Sequence, residues 1–208
     1  MNKNELVIGR TLEGVKRTGK QLYWRFYGMF LNQPPVPAAP TSLLFVCKGN
    51  ICRSPFAEAI ARKHVSDGFP ISCVSAGIDV RVSEPCPHET LAAAERFGID
   101  LSGHRSRRID EGLVAGADMI LTMEAWQNRC LRKAFPEHRK KMFLLPLFEE
   151  NPPGRPDAVH LLNIRDPYGR SLGEFIECFE RIDACLKGIL SGIHNAGVRP
   201  LHDEAMRR

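Results

Sequence analysis

Cys47 and Arg53 stand six residues apart in Cys47-Lys48-Gly49-Asn50-Ile51-Cys52-Arg53-Ser54-Pro55, and Asp166 stands far downstream in Asn163-Ile164-Arg165-Asp166-Pro167-Tyr168-Gly169. A thiolate is a nucleophile, a guanidinium is a bidentate clamp for an oxyanion, and a carboxyl group can hand a proton to a leaving oxygen. The spacing Cys-x5-Arg suits cleavage of a phosphate ester. The nucleophile must lie in line behind phosphorus while donors hold the non-bridging oxygens. Backbone N–H groups of Lys48, Gly49, Asn50, Ile51, Cys52 and Arg53 can form that ring, and the Arg53 guanidinium completes it. The same field favours the Cys47 thiolate, and the first product would be a cysteinyl phosphate. Asp166, in a loop stiffened by Pro167, is the candidate acid for the leaving oxygen and then the base for water. An Asp-Pro pair alone is a common turn element, so its weight comes from the cysteine loop. A metal site is the competing reading of Cys47 and Cys52. It would need two further ligands at matching spacing, and no second such pair exists, so neither a metal nor another cofactor is expected.

These groups must be positioned by a strand that ends in a tight turn and feeds a helix. Leu43–Val46 is a continuous apolar run of the kind a buried parallel strand needs. The turn at Gly49 and Asn50 and a helix over about Pro55–Asp67 follow, which makes an anion site from successive N–H groups and the helix dipole. Strand and helix patterns then alternate. Strands are expected at Ile71–Ser75 (with a turn at Ala76-Gly77), Met119–Leu121 and Met142–Leu145. Helices are expected at Pro87–Phe97, near Asp110–Ala115, near Glu124–Ala134 and over Leu172–Leu190. In the last of these Phe175, Phe179, Ile182, Leu186, Ile189 and Leu190 form the apolar stripe. This alternation predicts a three-layer α/β domain, with a central four-stranded parallel sheet, helices on both faces and the phosphate loop after the first strand. Ligands bind at the carboxyl ends of such strands, where Cys47 falls.

The chain has 208 residues and is expected to hold one such domain over 41–192, preceded by an extension at 1–40 and followed by a flexible tail at 193–208. Hydrophobic residues make up 43% and charged residues 25%, as in a soluble globular protein. Seven cysteines at irregular spacing, without a signal segment or a membrane-length apolar run, read as an intracellular, cytoplasmic protein with mostly core thiols. Of the net charge of +5, residues 1–40 carry +4. The folded part is therefore nearly neutral, which argues against a nucleic-acid partner. The extension ends in Leu22-Tyr23-Trp24-Arg25-Phe26-Tyr27-Gly28-Met29-Phe30-Leu31, followed by the stiff linker Pro34–Pro40. Residues 1–33 therefore read as a helix packed on the domain, a membrane-surface or partner contact, or a disordered leader. The oligomeric state is not encoded in any pattern found.

The motifs together resemble the low-molecular-weight protein tyrosine phosphatases. Those that carry the resemblance are the Cys47 loop, Ser75-Ala76-Gly77, the His104-to-Arg107 loop, Met123-Glu124 and Asp166-Pro167-Tyr168, in this order within about Ser42–Leu190. The resemblance implies a phosphotyrosine protein substrate, with Cys47 as nucleophile, Arg53 as phosphate clamp and Asp166 as acid and base. It also implies that Ser54 steadies the sulfur, that Asn50 and His104 hold the loop's shape, and that Tyr168 walls the substrate ring. Cys52 matches the vicinal cysteine that can trap an oxidised nucleophile as a disulfide. Three features depart from the pattern. Lys48 replaces an apolar or small residue, which favours acidic or multiply charged substrates. Gly169 replaces a second tyrosine, and no aromatic residue occurs in Ile78–Glu84, which leaves a more open cleft of bacterial type.

Two relatives of the same fold use this loop differently. Protein arginine phosphatases typically have threonine before the second cysteine, where this chain has Ile51. Thioredoxin-coupled arsenate reductases need two further redox cysteines close together, but Cys73 and Cys86 lie apart and Cys130 and Cys178 fall on expected helices. A non-catalytic phosphate-binding module would be expected to have lost Cys47, Arg53 or Asp166.

Overall fold

A computed structural model describes residues 36, 37, 39–65, 71–149 and 162–195. Strand β1 (Ser42–Cys47) is central and buried from Leu43 onward. It pairs in parallel with β2 (Ser72–Gly77) on one side and β3 (Met119–Thr122) on the other, and β4 (Met142–Leu144) pairs in parallel with β3. The order is β2-β1-β3-β4, the four-stranded parallel sheet expected from the alternation. Successive side chains of β1 enter different cores, because a strand turns alternate residues to opposite faces. Leu43, Phe45 and Cys47 join one cluster, and Leu44 and Val46 join another.

The larger core lies under α1 (Arg53–Val65), α2 (His88–Glu95) and α5 (Leu172–Asn195). Its centre is aromatic: Phe56 of α1 stacks on Phe179 of α5 with ring centroids 3.9 Å apart, and Phe97 meets Phe56 edge-on at 5.0 Å. Burying each such side chain contributes about 1.5–3 kcal/mol, so this cluster fixes how α1 lies on the sheet. The smaller core is closed by α3 (Glu111–Gly116) and α4 (Ala125–Ala134) through Val114 and Leu131.

The elements differ from the expectation mainly at their ends. β2 runs through Ala76-Gly77, which is ladder and not turn, because Gly77 pairs with Cys47. Helix α1 starts at Arg53, so Arg53 and Ser54 lie in its first turn. Pro55 is tolerated there because N–H groups in that turn have no intrahelical acceptor. Helix α2 ends at Glu95, before the left-handed Gly98. Helix α5 runs to Asn195, past the expected domain boundary at 192, and Ile193 is 1% exposed in the larger core. Asp67, residues 1–35 with the aromatic cluster, Ala38 of the linker and the tail from 196 lie outside the described residues. Among the described residues no helix is long and apolar enough to cross a membrane, and no group of three or more His, Cys, Asp or Glu could hold a metal ion.

Candidate active site

The site lies where β1 ends, in a cavity of about 270 Å³. Cys47 is the last residue of β1 and is buried, with its sulfur at the floor of the loop that follows. Its Sγ lies 3.0 Å from Ser54 Oγ and accepts from the Asn50 N–H at 3.2 Å. The Asn50 N–H thus points at the sulfur, where a donor can stabilise negative charge, and the Ser54 hydroxyl lies within hydrogen-bond distance of it.

The loop's shape rests on Asn50, the only non-glycine residue with positive φ (53°) among the described residues. A side chain in that region is tolerated at a cost, which a short amide reduces by bonding locally. Asn50 is fully buried and tied on all sides. Its Nδ2 donates to Ser54 Oγ (3.0 Å) and Ser75 Oγ (2.9 Å), its Oδ1 accepts from Arg107 N (2.9 Å), and its carbonyl meets His104 Nε2 at 2.8 Å. The His104–Arg107 segment therefore clamps the loop from outside. Ser75 and Arg107 complete the network, and Arg107 Nε also donates to Ser75 O at 2.7 Å.

Arg53 is 1% exposed. Burial alone would lower its pKa, but Cys47, Asp166 and Glu124 outweigh burial and raise it, so the guanidinium stays charged. Nη1 donates to Glu124 Oε1 (2.6 Å) and to Ile164 O (2.9 Å), and Nη2 pairs with Asp166 Oδ2 at 2.7 Å. Asp166 is 40% exposed and also accepts from Tyr168 N at 3.3 Å, which shapes the acid loop. Thus the three groups singled out by type and spacing converge on one cavity.

The walls are uneven. Lys48, Gly49, Ile51, Cys52 and Tyr168 line the cavity together with Asp79, Val80, Arg81 and Val82, a stretch without an aromatic residue. Tyr168 and Val82 are both 63% exposed, so these lining side chains stand largely in solvent. Burial pushes the Cys52 thiol up to about 12, and Cys86 likewise to about 12, so both are neutral thiols near neutral pH. Cys73, Cys178 and Cys185 are buried as well, whereas Cys130 is exposed on α4.

Glu124 was missed as a site residue. Met123-Glu124 was visible as a motif, but nothing local marks Glu124 as a partner of Arg53. The available signal was that a buried arginine needs a carboxylate nearby.

Fold, loop and remote carboxylate together define a class of phosphate-ester hydrolase built on a cysteine loop. Residues 42–199 match the family model described as low molecular weight phosphotyrosine protein phosphatase. A "Probable low molecular weight protein-tyrosine-phosphatase EpsP" of Ralstonia nicotianae is 33% identical over 141 residues, covering 68% of this chain and 88% of that protein. A "Low molecular weight protein-tyrosine-phosphatase" of Streptomyces coelicolor is 31% identical, covering 72% and 91%. Among solved structures, a low molecular weight protein tyrosine phosphatase from T. tengcongensis superposes with a TM-score of 0.64 at 29% identity, covering 73% of this chain and 98% of that one. An arginine phosphatase from Geobacillus stearothermophilus reaches 0.64 at 24% identity, covering 75% and 94%, which is a likeness of fold. The chain belongs to the low molecular weight phosphotyrosine protein phosphatase family.

Proposed function

We propose that this protein hydrolyses phosphotyrosine monoesters on proteins, with Cys47 as nucleophile, Arg53 as clamp and Asp166 as acid and then base. The observation that carries the reading is the buried Arg53, which bridges from the loop above Cys47 to the Asp166 carboxylate at 2.7 Å. In the first step the Cys47 thiolate attacks phosphorus, the bond from phosphorus to the tyrosyl oxygen breaks, and protonated Asp166 gives that oxygen its proton. In the second step Asp166 takes a proton from water, the water oxygen attacks phosphorus, and the thiolate leaves as inorganic phosphate forms. The Ser54 hydroxyl, 3.0 Å from Sγ, stabilises the sulfur each time it carries charge. Loop N–H groups and Arg53 bind the equatorial oxygens most tightly when charge moves onto them.

A phosphotyrosine peptide and a phosphoarginine peptide, assayed by phosphate release, test the reading. Release from the first and not the second is expected, with none from Cys47→Ser. Asp166→Asn should slow phenyl phosphate severely and spare para-nitrophenyl phosphate, whose leaving group needs less protonation. Full turnover by Cys47→Ser would refute the mechanism, and preference for phosphoarginine would refute the substrate.

A further inference from the structure

We infer that Glu124, held by Gln127, is a positioning residue that sets the plane of the Arg53 guanidinium for the phosphoryl transition state. The inference rests on the phosphatase reading above and extends it to a side chain outside the cavity lining. A guanidinium has five N–H donors in a rigid plane. Both bonds from Nη1 point into the protein, to Glu124 Oε1 at 2.6 Å and Ile164 O at 2.9 Å. Two acceptors on one nitrogen fix both the position and the rotation of the plane. Nη2 faces Asp166, and Nε is buried without a protein partner. The edge from Nε to Nη2 is therefore the one offered to the substrate, and Glu124 grips the guanidinium from the opposite side.

Glu124 is itself held. It caps α4 in a reciprocal capping box, where Gln127 Nε2 donates to Glu124 Oε1 at 3.1 Å. Gln127 Oε1 in turn accepts from Met123 N (3.0 Å) and Glu124 N (3.2 Å). The fully buried Gln127 thus removes the freedom a half-buried glutamate would otherwise have. The same turn ties down the segment leading to Asp166: Ile164 N donates to Met123 O at 2.8 Å, and Ala125 N to Asn163 Oδ1 at 3.2 Å. One helix start therefore carries the Arg53 anchor and the base of the acid loop. A charged bond of 2.6 Å to a buried clamp acts on geometry, and misplacing a catalytic group by about 1 Å costs roughly 100-fold in rate.

The test is Glu124→Gln in the full chain, assayed with phenyl phosphate and para-nitrophenyl phosphate. We expect kcat to fall about 10- to 100-fold with KM within about threefold. Because the clamp acts on the phosphoryl group, the loss should be the same for both leaving groups, unlike that of Asp166→Asn. Affinity for orthovanadate, which mimics the five-coordinate state, should fall by the same factor as kcat, while affinity for inorganic phosphate should change little. Glu124→Asp keeps the charge and should recover part of both losses; it decides the matter by the same readouts if Glu124→Gln does not fold. Wild-type turnover by a folded variant would overturn the inference. So would a loss confined to phenyl phosphate, or a kcat loss with unchanged vanadate affinity. Absence of phosphatase activity in the wild-type chain would instead strike the function proposed above.

Discussion

Replacing Gly77 with alanine tests whether the loop geometry is held by steric contact from the neighbouring strand. Gly77 ends β2 opposite Cys47, and its backbone is not left-handed, so space and not φ is at issue. An added Cβ would lie 2.6 Å from Val80 Cγ2, and 2.9 Å from both Asn50 N and Gly49 C. Ordinary contact begins at 3.4 Å, so the two loop atoms would have to retreat by at least about half an ångström. The Val80 side chain can rotate away, but the loop backbone cannot move freely. Asn50 is bonded through its N–H, carbonyl and side chain to Cys47, His104, Ser54, Ser75 and Arg107. Gly77 is equally fixed, with its N–H on Arg107 O at 2.9 Å and its carbonyl accepting from Ile109 N at 2.9 Å. Overpacking such a site costs about 1–3 kcal/mol of stability. A loop displaced by that amount should lose about 10- to 100-fold in kcat, since its N–H groups must meet the phosphoryl oxygens. Urea unfolding gives the first quantity and turnover of para-nitrophenyl phosphate the second. A folded Gly77→Ala enzyme with wild-type kcat would refute the claim that this close approach sets the loop.

Asn50→Ala removes every side-chain bond named above while leaving a Cβ at positive φ, so a stability loss of about 1–3 kcal/mol is expected in urea unfolding. A large fall in kcat should accompany it, and an unchanged kcat would show that the loop keeps its shape without Asn50. Asp118 offers a pH test at the amino end of the sheet. Its carboxylate accepts from Thr41 N, Thr41 Oγ1 and Ser42 N, and its pKa lies below the usual 3.8, chiefly through the Thr41 backbone bond. Burial is the second-largest influence and opposes the bonds, but the net value is lowered, which means stability that is present above about pH 3.8 and lost as pH falls through the folded value. Wild type should therefore lose more stability than Asp118→Asn between about pH 6 and about pH 3, and equal losses would reject the assignment.

Much of this architecture is legible locally. The run Leu43–Val46 reads as a buried strand, and its parallel neighbours follow from strand–helix alternation. Cys47, Arg53 and Ser54 are fixed relative to one another by a single turn, so their spacing in sequence carries their geometry. Asp166 was found because its chemistry was required, not because its position could be derived. What stayed hidden depends on contacts between distant segments. The pairing of Gly77 with Cys47 turns an apparent Ala-Gly turn into the end of a strand. The Glu124–Arg53 pair joins residues whose neighbourhood exists only once β3 lies beside β1. The final helix outran its expected end because Ile193 finds a place in the larger core, a tertiary gain that a periodicity count does not include.

The site divides into a fixed floor and an open mouth, and the division follows its chemistry. Cys47, Asn50, Arg53, Ser54 and Ser75 are all buried and bonded to groups from β1, β2, α1, the His104–Arg107 segment and the start of α4. Transition-state stabilisation depends on donors that need not reorganise, so these groups are those for which rigidity brings most. The walls, Val82 and Tyr168, are each 63% exposed on loops, where a change of side chain disturbs neither core. Asp166 stands between the two regimes. It is anchored to the floor through Arg53 yet 40% exposed, which suits the acid and base role proposed for it above. The phosphatase reading proposed above therefore places its phosphoryl chemistry in the buried network, while the side chains at the mouth are left free to vary.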